Sequence, residues 1–82
     1  MNPIMIYFVT VLVSTTNIPS LSWIQANKSY SLLKVCNEHI EKKRDSIMLG
    51  LYRHFGNKLI SIHNIKCMTY DQAIIGNTKL GH

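Results

Sequence analysis

The chain has 82 residues, a formal net charge of +5 and 46% apolar side chains. A chain this short builds one small domain at most, buries only about 60% of its unfolded surface, and usually needs a disulfide, a metal or a partner to be stable. That size, together with a total of four carboxylates, argues against a water-excluding catalytic cleft, so neither enzyme activity nor a cofactor is expected.

Charge is unevenly placed. Residues 2–27 carry no charged side chain, and all nine Lys/Arg and four Asp/Glu lie from Lys28 onward. Within the uncharged stretch, Ile4 to Val13 is an apolar block. Its length suits the hydrophobic region of a signal peptide, about 7–15 residues. It is shorter than the roughly 17–25 residues of a membrane helix. A polar run, Ser14 to Asn17, follows it, and then Ile18 and Pro19. Proline cannot continue a helix, and Ser20 and Ser22 form the small-x-small pair of a signal-peptidase site. Residues 1–22 are therefore expected to be a cleaved signal peptide, leaving a secreted mature domain of residues 23–82.

No Lys or Arg precedes the apolar block, so two other uses of it stand. One is an uncleaved signal anchor reaching about residue 24, with Trp23 at the interface and Lys28 and Lys34 beyond it; the chain would then be a small single-pass membrane protein. The other is a buried strand or helix of a soluble protein. Next in order, Asn27-Lys28-Ser29 is an N-x-Ser sequon, which makes Asn27 a candidate glycosylation site in a eukaryotic secretory protein.

Leu32/Leu33, Cys36 and Ile40 recur at helical spacing and predict a helix over about 30–43, with Ser29 or Ser31 as its N-cap. The stripe breaks at Lys43 and Arg44. It resumes with Ile47, Met48, Leu51, Tyr52 and Phe55, which predict an amphipathic helix over 46–56 ended by Gly56-Asn57. Lys58 to Cys67 is rich in aliphatics, and strand and helix continuation fit it about equally. Thr69 and Gln72 match a capping box that would open a short helix through Ile75, ended by Gly76-Asn77. Thr78 to His82 is a mostly polar tail. The first two helices would pack as a hairpin about residues 44–46. Cys36 and Cys67 both follow the expected cut, and an even cysteine count in an oxidising compartment reads as one bridge. The expected fold is thus small and α-rich: a helical hairpin plus a short third segment, tied by a Cys36–Cys67 disulfide.

Candidate chemistry is sparse. Cys36, His39, His63 and Cys67 are two thiols and two imidazoles, enough for a tetrahedral structural zinc in a reduced chain, although the spacing is not a common finger pattern. Disulfide formation would remove that option. Glu38 with Glu41 could pair as acid and base, though a surface helix face explains them better; Cys36 with His39 could form a nucleophile pair, but no third orienting group or oxyanion site is recognisable. Lys42-Lys43-Arg44 resembles a dibasic processing site, which would leave two segments joined by Cys36–Cys67; a charged turn explains it as well. Lys42, Lys43, Arg44, Arg53 and Lys58 could also hold an amphipathic stretch against an anionic membrane, with Ile47, Leu51, Tyr52 and Phe55 inserting. One basic cluster without interleaved aromatics does not suggest nucleic-acid binding.

The reading that follows is a small basic secreted protein acting by binding, as an extracellular peptide signal, effector or defence factor. Its partner would be an unknown protein receptor or an anionic membrane surface. The membrane-anchored protein is one alternative. The other is a reading frame with no evolved role, because Ile is abundant at 11 and Ala scarce at 2, a bias that AT-rich DNA produces without selection for a fold.

Overall fold

A computed structural model describes residues 5–17 and 20–81. Pro19, where the sequence suggests a break, lies outside the described residues. The order of elements is β1 (Tyr7–Thr15), β2 (Ser22–Tyr30), α1 (Leu33–Phe55), a single 3-10 turn (Gly56–Lys58), β3 (Leu59–Thr69) and α2 (Tyr70–Lys79). The three strands form one antiparallel sheet in the order β2-β1-β3. This overturns the expected helical hairpin: the fold is a three-stranded sheet with a helix on each face.

β1 is the central strand, and its composition explains why. Val9, Val11, Val13, Thr10 and Thr15 are β-branched and suit a pleated surface. A strand enclosed on both faces reads as a continuous apolar run, and here the run is buried from Val9 to Thr15 except for half-buried Leu12. Register assigns the faces. Val11 lies opposite Ile24 and Ile65, and Val9 opposite Cys67; this side meets α1. Leu12 lies opposite Trp23, and Phe8 opposite Met68; this side meets α2. Val9, Val11 and Val13 are the centre of the buried cluster, with Cys36, Ile40, Ile65 and Cys67 around them. A chain cut after Ser22 would lose β1 and with it both strand pairings.

The two expected helical segments are present, but they run on through a kink as α1 instead of folding back as a hairpin. Cys36, Ile40, Ile47 and Leu51 are separated by four, seven and four positions, so two turns pass between Ile40 and Ile47 and the same face returns to the sheet. No Gly or Pro reverses the chain between them. The missing apolar residue shows instead as a kink: Lys43 has φ −120° and ψ 19°, outside the helical region. The helix begins later than its apolar stripe suggests, because residues through Tyr30 belong to β2. Its N-cap is Leu32, with no side-chain cap, rather than Ser29 or Ser31. It ends as expected at Gly56, whose φ of 55° suits glycine and whose N–H donates to the Tyr52 carbonyl.

The expected bridge is present: Cys36 of α1 is bonded to Cys67 of β3, closing a separation of 31 residues. α2 also begins where the capping box places it. The Thr69 hydroxyl accepts from the Gln72 N–H (3.2 Å), and the Gln72 side chain accepts from the Thr69 N–H (3.0 Å). It does not stop at Gly76-Asn77 but runs on to Lys79. Gly76 is a contact point inside the helix. A Cβ there would stand 2.8 Å from Cδ1 and 2.9 Å from Nε1 of Trp23, so only glycine lets α2 approach the strand. Asn77 holds the same contact: its Oδ1 accepts from the Trp23 N–H (2.6 Å) and its Nδ2 donates to the Trp23 carbonyl (3.1 Å). The carboxamide thus takes the place of a further strand on the open edge of β2, where unpaired backbone would otherwise invite association.

Candidate functional site: a cleft between helix and sheet

A concavity lies between α1 and the sheet. β1 and β2 lose register between Phe8 and Thr10, since Phe8 pairs with Ser29 and Thr10 with Gln25. Ala26, Asn27 and Lys28 therefore stand against the single residue Val9. Such a bulge bends its strand away from its partner. Across the gap, α1 presents Ser46 and Gly50, one turn apart on the same face, where larger side chains would reach the sheet. The two features leave a cleft of about 360 Å³.

Its lining is mainly apolar with a few basic side chains. Val9, Val11 and Ile24 supply the sheet wall; Ile47, Leu51 and Phe55 supply the helix wall. Lys28, His39 and His54 are the ionisable lining residues, and none of the lining residues is acidic. His39 and Phe55 are the first and last α1 residues along the helix wall. At one end side chains gather: the Tyr30 and His39 rings lie 5.4 Å apart and tilted by 37°, and the Lys28 Nζ sits 5.6 Å from the Tyr30 ring centre. The Tyr30 hydroxyl is buried with no hydrogen-bond partner. At the other end the His54 ring meets Phe55 edge to face at 4.8 Å. Chemically, the cleft offers apolar surface to the body of a ligand and cations or hydrogen-bond donors to an end group.

The residues singled out from sequence are scattered differently. Cys36 and Cys67 are consumed by the disulfide, His63 bonds Ser61 (2.8 Å), and His39 belongs to the cleft. Among the described residues no group of three or more His, Cys, Asp or Glu could hold a metal, so the zinc alternative of Cys36, His39, His63 and Cys67 does not assemble. Asn27 is exposed within the bulge and borders the cleft. Lys42, Lys43, Arg44, Arg53 and Lys58 are all exposed. Of the side chains expected to insert beside them into a membrane, Ile47, Leu51 and Phe55 turn toward the sheet and only Tyr52 is exposed. Among the described residues no helix is long and apolar enough to cross a membrane.

Sequence reasoning did not single out the cleft. Val9, Val11, Ile24 and Lys28 reach it only through strand pairing. One local signal was available: small residues at Ser46 and Gly50, on the face that carries Ile47 and Leu51. The chain matches no protein-family model, no curated protein and no solved structure.

Proposed function

We propose that the chain is a small, basic, secreted protein that acts by binding, and that the cleft between α1, β1 and β2 holds its ligand. The observation that carries this reading is the lining: mainly apolar, with one lysine, two histidines and no carboxylate. Ligand sites are mostly apolar with a few placed polar groups, and begin at about 300 Å³. The fitting ligand is an apolar molecule with an anionic end group.

The disulfide supports an oxidising compartment. Retention of β1 is part of the proposal, because the cleft takes Val9 and Val11 from it. The binding form is then the full chain, with residues 1–22 kept after export. Removal of those residues would deliver a peptide without this site.

Calorimetric titration of the full-length oxidised protein tests the reading, with dodecanoate and dodecyltrimethylammonium compared below their micellar concentrations. Dodecanoate should bind saturably at one site and the cation should not. Leu51→Trp fills the cleft and should abolish binding while far-ultraviolet circular dichroism stays unchanged. Equal binding of both amphiphiles, or of neither, would overturn the proposal.

A further inference from the structure

We propose that Lys42-Lys43-Arg44 is a processing site, cut after Arg44 by an endoprotease specific for paired basic residues, and that the product stays one molecule. In the reaction water adds across the Arg44–Asp45 peptide bond, leaving a carboxylate on Arg44 and an amine on Asp45. No bond is oxidised or reduced.

A protease cleft takes its substrate in extended form, so a helical site must first unwind. α1 is already interrupted here, at the non-helical dihedrals of Lys43. Residues 41–46 are all exposed, and the flanking side chains, Ile40 and Ile47, are the ones that pack on the core. Unwinding this stretch therefore removes no core contact, which is the condition for low-cost local opening. The other basic residues are exposed too but do not sit at this interruption of α1. Lys28 and Lys66 lie in strands, Arg53 sits between Leu51 and Phe55 of the cleft wall, and the Lys58 carbonyl accepts from the Thr16 N–H (2.8 Å). None of them has a Lys or Arg neighbour.

What lies on either side of the cut keeps the product together. Residues 1–44 retain β1 and Cys36; residues 45–82 retain β3 and Cys67. The β1–β3 ladder and the Cys36–Cys67 bond both cross the cut. The cut also falls between His39 and Ser46 of the cleft wall, so processing frees the second half of that wall from the first.

The full-length oxidised protein, incubated with a subtilisin-family endoprotease specific for paired basic residues, tests the proposal by intact mass. The expected first product is heavier by one water with nothing lost. Reduction should split it into a fragment ending at Arg44 and one beginning at Asp45, and Lys43→Gln with Arg44→Gln should abolish the cut. Hydrogen exchange should show the amides of residues 41–46 opening before the rest of α1. A first cut elsewhere, or residues 41–46 as protected as their neighbours in α1, would overturn it.

Discussion

The two faces of the sheet are closed by opposite means. α2 is short and close. Glycine lets its backbone meet Trp23, a carboxamide bonds both main-chain groups of that residue, and a capping box sets the first turn. α1 is 23 residues long, yet Cys36 and Ile40 are its only buried residues, and beside its second half, where Ile47 and Leu51 are partly buried against the core, a cleft opens. A gap beside a side chain forfeits dispersion contacts and costs stability. The disulfide falls on that same face, where it offsets the looser packing by constraining the unfolded chain, by about 3–4 kcal/mol on the chain-entropy model. Shape and hydrogen bonds hold one helix; a covalent bond holds the other and leaves a cleft beside it.

The harshest way to break this comparison is to remove what both faces share. A chain of residues 23–82 lacks β1, and with it Val9, Val11 and Val13, whose burial is worth about 1.5–3 kcal/mol each, as well as both ladders. Neither helix should then dock, and the thermal transition should lose its cooperativity. A cooperative melt with strand-like circular dichroism would show that β1 is dispensable and that a chain processed after Ser22 can fold. Next in size, Cys36→Ser with Cys67→Ser should lower stability by about 3–4 kcal/mol in urea unfolding. It should speed hydrogen exchange in Leu33–Phe55 more than in Tyr70–Lys79. Equal loosening of the two helices would mean that the faces are not independently held.

What could be read from the chain alone follows the same division between local and distant causes. The start of α2 was legible because Thr69 and Gln72 are three residues apart, and the end of α1 because Gly56 carries its own signal. The Cys36–Cys67 bond followed from an even count. The helical hairpin failed because the gap at Lys43 and Arg44 looks alike in a turn and in a kinked helix, while the seven-residue step from Ile40 to Ile47 keeps one face. The composition of Ile4 to Val13 suits an export segment, an anchor or a covered strand, and the pairing of Tyr7–Thr15 on both sides depends on residues far away in the chain. β2 is harder still: Ala26 to Ser29 are polar or small and exposed, and only β1 makes them a strand. Gly76-Asn77 reads locally as a stop, and its actual task depends on Trp23, 54 positions from Asn77.

The close face can be probed one atom group at a time. Gly76→Ala drives a methyl into the Trp23 indole, and overpacking of this kind costs about 1–3 kcal/mol. Asn77→Ala removes two hydrogen bonds and leaves the Trp23 N–H and carbonyl unpaired where they are part-buried, a loss of about 1–3 kcal/mol. Both should lower the urea midpoint and expose Trp23, shifting its fluorescence to the red. An unshifted emission in both variants would show that α2 is not seated on this residue.

The smallest change tests the open face, and its sign is reversed. Gly50 lies inside α1, and a Cβ built there meets no atom within 4 Å. Gly50→Ala should therefore raise stability by up to about 1 kcal/mol, the difference between the two residues in a helix interior. The same methyl projects at the cleft that Gly50 lines, so dodecanoate should bind more weakly to the more stable protein. Opposite movements of melting temperature and affinity are what a functional void predicts, because room left for a ligand is packing withheld from the fold. If alanine stabilises the chain without weakening dodecanoate binding, the ligand lies away from Gly50 and the cleft is only a packing gap.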